Sequence, residues 1–380
     1  MPSIYFTEDH EAFRDQIRRF VAEEVRPHAD AWETAEEIPR EAFRRMGALG
    51  AFGIRYPAEY GGAEMDTFGS VVLAEELGRS GLSGFAASTL VHGEMASPHL
   101  ARYGSADQKA RWMPGIIGGD IVTAIGVTEP GGGSDVAALR TRAERRGNGW
   151  VLNGTKMFIT NGVHADLIFI AARTDPDAKP SRGISMFAVE KGTPGFEVAR
   201  KLDKMGWRCS DTAELSLVDV ALPGDALIGE EGRGFYQIMD NFQNERLVMG
   251  AFTTGEAERA VEITLDYVRE REAFGAPLWD KQAVRLKLAE CVTRIEANKA
   301  LVHHTAWLDS QGIDCVKEVS MIKVNAAEML QHVVWTCLQL HGGAGYMRGM
   351  EIERLYRDAR VQAIGGGATD VMLEEVAKRM

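Results

Sequence analysis

The hydrophobic residues in the first third of the chain recur every three or four positions, which is the spacing of a buried helix face. Phe13, Ile17 and Phe20 belong to such a pattern within residues 7–33. Thr7 is the predicted N-cap, because a threonine side chain accepts a hydrogen bond from the backbone of the first turn. Similar patterns predict helices over residues 40–49, 68–79 and 89–103.

The pattern changes at Ile121. Short apolar or alternating runs follow, each bounded by Gly, Pro, Asn or Asp, and this is typical of strands joined by turns. The runs cover residues 150–152, 167–172, 184–189 and 213–220. They predict a small antiparallel β domain in the middle of the chain.

Helical periodicity returns after Gly234 in three long segments, which cover residues 235–271, 281–311 and 316–340. Their length predicts an antiparallel bundle. The predicted fold class is therefore α+β, with an N-terminal α-helical domain, a middle antiparallel β domain and a C-terminal domain that resembles a four-helix bundle. The predicted domain boundaries are 1–120, 121–232 and 233–380.

Composition narrows the functions that such a chain can serve. Its 380 residues carry a formal net charge of −12, which argues against a nucleic-acid footprint and against an anionic membrane surface. Neither a signal-peptide pattern nor a run of about twenty apolar residues occurs. The four cysteines show no C-x-x-C spacing, so we expect no metal site and a reduced, cytoplasmic setting.

Two glycine-punctuated loops flank the start of the β region, at residues 127–135 (VTEPGGGSD) and 154–162 (GTKMFITNG). Glycine leaves the backbone N–H groups open to close approach by a phosphate or a flat ring. On these residues alone, an ordinary turn followed by a helix cap is the commoner interpretation.

Two further motifs favour the ligand-binding interpretation over the ordinary turn. They are residues 271–275 (REAFG) and 339–346 (QLHGGAGY). Together with the two loops, in this order and at these separations, they resemble the acyl-CoA dehydrogenase family of FAD enzymes. The resemblance covers essentially the whole chain and implies the order helical, β, helical. It also implies an enzyme that converts an acyl-CoA to the trans-2-enoyl-CoA and passes electrons to an electron-transfer flavoprotein.

The resemblance implies an unusual position for the catalytic base. Most members carry a glutamate near the C-terminus, and Gly366 stands at that place here. The branch that includes the long-chain and isovaleryl-CoA dehydrogenases has its base on an earlier helix in a Glu-Arg pair, which matches Glu245 and Arg246. The alternative is that Glu245 only pairs with a basic residue in the bundle. A buried, functional Glu245 should have a pKa above about 4.3.

The resemblance also implies roles for other residues. The backbone N–H of Gly366 would bind the thioester oxygen. Flavin contacts within the chain match Val127, Thr128, Gly133, Ser134, Phe158 and Thr160, with Phe158 where many members carry tryptophan. Contacts to the FAD of a neighbouring subunit match Arg271, Phe274, Gln339 and Gly343, which implies a homo-oligomer, expected to be a tetramer. Substrate contacts match Ser134, Arg246 and Ser210.

Other functions remain open on the same scaffold. One is an acyl-CoA oxidase or a flavin monooxygenase, although the monooxygenase needs no base at Glu245. Another is a weakly catalytic, DNA-binding protein of the alkylation-response branch, which the acidic net charge disfavours. The length and branching of the acyl chain depend on packing in residues 85–95 and 234–249, which the sequence does not reveal.

Overall fold

A computed structural model describes residues 4–380. Its first region is helical, as predicted. Thr7 forms a capping box, because its Oγ1 accepts a hydrogen bond from the His10 backbone while His10 Nδ1 accepts one from the Thr7 backbone. The helices of this region are α1 (Glu8–Phe20), α2 (Ala29–Ala35), α3 (Arg40–Ala48), α4 (Thr67–Gly78), α5 (Ser83–Leu90), α6 (Ser97–Tyr103) and α7 (Ala106–Ile117).

Residues 89–103 are helical, as predicted, but they do not form a single regular α-helix. A π-helical turn, Val91–Ala96, separates α5 from α6. Pro98 lies in the first turn of α6 and has no N–H to donate, so the regular ladder of hydrogen bonds is interrupted before it. Glu94 and Met95, both in this π-helical turn, accept hydrogen bonds from Asn241 of the last region.

The middle region is an eight-stranded sheet in the order β6-β7-β3-β2-β4-β5-β8, with β1 paired to β4. Most neighbouring strands are antiparallel, as predicted, but β1 runs parallel to β4, so the sheet is mixed. The strands are β1 (Thr123–Gly126), β2 (Arg142–Arg146), β3 (Gly149–Thr160), β4 (Leu167–Arg173), β5 (Ile184–Glu190), β6 (Phe196–Lys201), β7 (Thr212–Leu222) and β8 (Leu227–Ile228).

The last region is a helical bundle, which confirms the predicted fold class. A two-stranded hairpin, β9 (Glu272–Ala273) and β10 (Ala276–Pro277), separates its first two long helices. The helices are α8 (Gly234–Glu270), α9 (Gln282–Ser310), α10 (Val316–His341), α11 (Glu351–Ala359) and α12 (Thr369–Ala377).

Helix α8 joins the three regions because it contributes to three separate parts of the core. Ile238 packs with residues of the sheet, Phe252 packs with the N-terminal helices, and Val261 packs within the bundle. The middle of α8 therefore lies where the regions meet, and a site built there draws on all of them.

The predicted domain boundaries, 1–120, 121–232 and 233–380, stay a prediction. Residues 1–3, which fall in the first of these domains, lie outside the described residues. Among residues 4–380, none of the helices combines the length and the apolar character needed to cross a membrane.

Candidate active site

Glu245 lies in the middle of α8 with only 8% of its surface exposed. Its Oε1 accepts a hydrogen bond of 2.9 Å from Asn241 Nδ2, one turn earlier on the helix. Burial raises the pKa of Glu245 to about 7, although the hydrogen bond from Asn241 and the charge of Arg246 both act in the opposite direction. The predicted direction of this pKa shift is confirmed, and such a carboxyl group can take up a proton near neutral pH.

The π-helical turn holds Asn241 in place. Asn241 Nδ2 also donates to the backbone oxygens of Glu94 at 3.4 Å and Met95 at 3.1 Å. Next to it, Asn244 Nδ2 donates to Glu94 Oε2 at 3.0 Å. The irregular backbone of this turn therefore supplies the acceptors that orient the partner of Glu245.

Gly366 lies in the loop that precedes α12 and has φ of +67°, a conformation that favours glycine. A Cβ there would be 3.6 Å from Lys323 Cε. Lys323 is buried, donates to the carbonyl of Gln362 and has a pKa lowered to about 8 by burial and by the charge of Arg246. Lys323 thus packs beside the Gly366 loop, close enough to Arg246 for the two positive charges to repel.

A buried ion pair ties the two predicted flavin loops together. Lys156 Nζ, on β3, lies 2.8 Å from Glu129 Oε1 and donates to the carbonyl of Val127 at 3.2 Å. The Met157 N–H donates to the carbonyl of Thr128 at 2.9 Å. Burial lowers the pKa of Lys156 to about 8, with Glu129 opposing the change. The sequence offered no sign that Lys156 is fully buried.

Phe158, in the second glycine-punctuated segment, has an exposed side chain and an unusual backbone conformation. Its side chain is 67% exposed and its φ is +61°, which is rare for an aromatic residue. It lies at a register shift of β3 against β7, between Lys156 and Ile159. A β-bulge of this kind turns a side chain away from the regular pleat, and here it leaves the Phe158 ring exposed at the surface.

The first loop is open to a ligand. A Cβ added at Gly131 or Gly132 would meet no atom within 4 Å, and at Gly133 it would meet Thr128 Cγ2 at 3.2 Å. Ser134 is exposed beside them. Thr160 ends β3 opposite Thr212 and is half-buried. The structure therefore places the six predicted flavin residues of this chain in two adjoining segments, the first loop and the end of β3.

The four residues predicted to reach a neighbouring subunit's cofactor lie at another place, around the C-terminal ends of α8 and α10. Tyr267 connects the two ends, because its ring stacks on His341 at 4.2 Å and its carbonyl accepts from the Arg271 N–H. Phe274 is 98% exposed with φ of +55°. Within residues 4–380, no ion pair or side-chain hydrogen bond engages the Arg271 guanidinium. Arg271, Phe274, Gln339 and Gly343 are all exposed.

The predicted substrate residues are less clearly grouped. Arg246 is half-buried, with its guanidinium 5.3 Å from the ring centre of Phe242 and its Nε without a partner among residues 4–380. Ser210 is buried, and its hydroxyl donates to the Asp211 carbonyl. The loop before it packs on α11, where Asp358 Oδ1 accepts from the Trp207 N–H at 2.7 Å. The substrate roles of Arg246, Ser210 and Ser134 stay predictions.

Three family models match the chain in succession. They are the acyl-CoA dehydrogenase N-terminal domain over residues 7–120, the middle domain over residues 124–220 and the C-terminal domain over residues 232–380. The chain belongs to the acyl-CoA dehydrogenase family. Acyl-CoA dehydrogenases are oxidoreductases that act on CH–CH groups, so the predicted enzyme class is confirmed.

Relatives of this acyl-CoA dehydrogenase cover nearly its full length. The mitochondrial long-chain-specific enzyme of Mus musculus is 41% identical over 99% of this chain and 87% of its own. The acyl-CoA dehydrogenase structure from Geobacillus kaustophilus is 41% identical, with a TM-score of 0.95 over 100% of this chain and 99% of that one.

A third relative bears on the cofactor. A glutaryl-CoA dehydrogenase from Mycobacterium smegmatis, solved in complex with FADH2, is 30% identical and has a TM-score of 0.93 over 99% of this chain and 95% of that one. FAD, the cofactor predicted from the sequence, is thereby confirmed for the family.

Sequence reasoning missed several residues around the site. Asn241 precedes Glu245 by four positions, which is the spacing of neighbours on a helix surface, so it could have been found. Lys323 and Lys156 could not, because lysine is seldom fully buried and their partners come from distant segments.

Proposed function

We propose that this protein desaturates an acyl-CoA thioester between Cα and Cβ to give the trans-2-enoyl-CoA, and that it passes the electrons to an electron-transfer flavoprotein. The observation that carries the proposal is the buried Glu245 carboxyl, whose pKa of about 7 suits a general base at neutral pH. Glycine at 366 and a carboxylate at 245 together support a base on α8.

Glu245 would remove the α-proton, and Asn241 would hold its carboxylate in place through the 2.9 Å hydrogen bond. The Gly366 N–H would donate to the thioester oxygen, where negative charge develops as the proton leaves. When bound, FAD supplies the acceptor for the hydride that leaves Cβ. Both the base and the acceptor must face the Cα–Cβ bond.

The residues present fit FAD. The open backbone at Gly131 and Gly132 suits close contact with a polar ligand, and the outward ring of Phe158 suits the flat isoalloxazine. The Glu129–Lys156 pair fixes the spacing of the two loops that carry these groups. Val127, Thr128, Gly133, Ser134 and Thr160 would complete the site.

Arg271 would bind the pyrophosphate of a neighbouring subunit's FAD, since its guanidinium is exposed and carries five donors suited to phosphate. Phe274, Gln339 and Gly343 lie at the same end of the bundle and would act with it. A homotetramer is therefore part of the proposal. Fatty acid oxidation is the proposed role, supported by the long-chain relative, and a cytoplasmic location stays a prediction.

Anaerobic titration of the flavoprotein with straight, branched and bulky acyl-CoAs tests the proposal. We expect at least one thioester to bleach the flavin, with stoichiometric trans-2-enoyl-CoA as product. If none of the panel bleaches it, the proposal is wrong. Rapid peroxide formation when air is admitted, with no need for an electron-transfer flavoprotein, would instead identify an oxidase.

A further inference from the structure

Three consecutive glycines, Gly365, Gly366 and Gly367, form the turn that precedes α12. Gly366 and Gly367 have φ of +67° and +119°. Glycine has the widest range of backbone conformations, so the sequence of this turn does not by itself fix the direction of its N–H groups. A hydrogen-bond donor to a developing oxyanion is effective only when it already points towards that oxygen. The direction of the Gly366 N–H must therefore come from contacts with the rest of the protein.

Gln362, shortly before the turn, makes two contacts with the helical bundle. Its Nε2 donates a 3.0 Å hydrogen bond to Glu256 Oε2, on α8. Its backbone carbonyl accepts a hydrogen bond from Lys323 Nζ, on α10. All three residues are buried. Because one contact is made by the side chain and the other by the backbone, to two different helices, Gln362 cannot rotate or shift without breaking one of them.

The position of Gln362 is passed on to Gly366 by short-range contacts. The Gly365 N–H donates to the Val361 carbonyl at 2.9 Å, so the chain on either side of Gln362 is folded into a tight turn. The Lys323 side chain also packs against the turn directly, since a Cβ added at Gly366 would lie 3.6 Å from Lys323 Cε. Gln362 and Lys323 together therefore restrict the backbone that carries the Gly366 N–H.

Lys323 and Glu256 are unusual because each buries an ionisable group that forms no ion pair within residues 4–380. Burial lowers the pKa of Lys323, and the charge of Arg246 lowers it further. Glu256 Oε1 has no hydrogen-bond partner in the same part of the chain. Burying such groups without an opposite charge destabilises a fold, so they are commonest where function requires them. Their shared contact with Gln362 indicates what that function is.

We infer that Lys323 and Glu256 are positioning residues for the dehydrogenation, because through Gln362 they hold the glycine turn so that the Gly366 N–H points towards the thioester oxygen. The inference rests on the proposed function, since it takes the Gly366 N–H as the donor to that oxygen. Neither Lys323 nor Glu256 touches the substrate. Each acts through Gln362, and Lys323 acts also by packing against the turn.

Titration of the FAD-loaded enzyme with 3-thiadodecanoyl-CoA tests this inference. Sulfur replaces Cβ in this probe, so Glu245 can take the α-proton but no hydride can leave. The resulting enolate, against the oxidised flavin, should give a long-wavelength charge-transfer absorbance. The Gly366 N–H stabilises the enolate oxygen more than the uncharged thioester oxygen. The absorbance at saturation therefore measures how well this donor is directed, and the dissociation constant separately measures binding.

Variants identify the residues responsible. Lys323→Met and Glu256→Leu should each lower the ratio of enolate to intact thioester at least about tenfold, because loss of one oxyanion donor costs about 10²–10³-fold in rate. The dissociation constant of the probe should change little. Glu256→Gln should retain the wild-type ratio, since its amide oxygen can still accept from Gln362. Asn298→Ala is the control for lost stability, because Asn298 is also buried in the bundle but donates to Thr254 instead.

Three results would overturn the inference and leave the proposed function in place. The first is an unchanged enolate ratio in Lys323→Met and Glu256→Leu, with dodecanoyl-CoA still bleaching the flavin. The second is a loss in Lys323→Met that Glu256→Leu does not share, which would assign the effect to the lysine charge. The third is an equal loss in Asn298→Ala, which would make it a general effect of stability.

If Lys323→Met does not fold, the comparison of Glu256→Leu with Glu256→Gln decides the question alone, and equal ratios in these two variants would overturn the inference. Failure of the proposed function gives a different result. A wild-type enzyme that forms no enolate with the probe, and whose flavin no thioester of the panel bleaches, would remove the proposed function and this inference with it.

Discussion

Asn241 Nδ2 donates a 2.9 Å hydrogen bond to Glu245 Oε1 across one turn of α8. This contact favours the ionised carboxylate, whereas burial favours the protonated form and sets the pKa at about 7. The same Nδ2 donates to Met95 in the π-helical turn. Asn241 therefore affects both the position of the Glu245 carboxylate and its pKa.

Asn241→Leu should raise the pKa of Glu245, because the ionised form loses a hydrogen-bond donor. A base must be ionised to act, so kcat/KM rises with pH through this pKa. We expect the acidic limb of the pH profile to move upward by about one unit. Gln243→Leu, on the same helix but facing Cys315, should leave the limb in place. An unshifted limb in Asn241→Leu would mean that Asn241 has only a structural role.

Glu256 is a second buried carboxyl on α8, and it should make the protein less stable as the pH rises. Burial, together with the negative charge of Asp358, raises its pKa to about 8 despite a 3.0 Å hydrogen bond from Gln362 Nε2, whereas its ordinary value is 4.5. The unfolded chain thus releases this proton from about pH 4.5 upward, while the folded chain keeps it until about pH 8. Stability from this group is complete below pH 4.5 and declines between the two values.

Glu256→Gln should therefore stabilise the protein at about pH 8, by an amount on the order of a few kcal/mol. It should also flatten the decline of the unfolding free energy as the pH rises. Urea denaturation of the wild type and the variant at several pH values measures this. Glu270→Gln, at an exposed position near the end of α8, is the control and should not change the slope. Identical slopes for Glu256→Gln and the wild type would contradict the assigned shift.

Lys156→Met should destabilise the protein by about 3–5 kcal/mol, because it leaves the Glu129 carboxylate without its cation in a largely buried place. It should also release FAD, since the pair fixes the two flavin loops. The matched control is Arg200→Ala, which breaks an exposed pair with Glu214 and should cost no more than about 1 kcal/mol. Chemical denaturation and flavin content after dialysis are the measurements. Equal losses in both variants would speak against the structural role of Lys156.

Arg271→Ala should lower FAD content without changing the flavin loops of its own chain. The reason is that Arg271 lies at the far end of α8 and is proposed to bind a neighbouring subunit's pyrophosphate. Arg269→Ala is the control, because its guanidinium lies 5.5 Å from the ring centre of Trp279 within the same chain. Flavin absorbance per subunit and light scattering test this. Full flavin occupancy in an oligomeric Arg271→Ala would disprove the role.

Local sequence patterns were sufficient to predict the long helices. Helix α8 was expected over residues 235–271 and is found at Gly234–Glu270. Its apolar residues repeat over many turns, so the local signal is strong. Helix α7 was missed, although Ser105 and Gln108 form a capping box that marks its start.

Features that depend on distant contacts could not be predicted. The left-handed backbone of Phe158 arises where β3 shifts register against β7, and sequence alone does not place that shift. The π-helical turn at Val91–Ala96 supplies two acceptors to Asn241, which is remote in sequence. Glu245 was found because a motif marked it, but its partner and its pKa follow from the packing of three regions.

Anaerobic flavin bleaching by Glu245→Gln, with the best acyl-CoA of the panel, tests the central claim most directly. Glutamine keeps the size of the side chain but cannot accept the α-proton. Glu94→Gln is the matched control, because Glu94 is also buried nearby but bonds to Ser70 and Asn244 instead. We predict that the wild type and Glu94→Gln bleach, while Glu245→Gln binds FAD and thioester and stays oxidised. Bleaching of Glu245→Gln at the wild-type rate would show that the base is elsewhere.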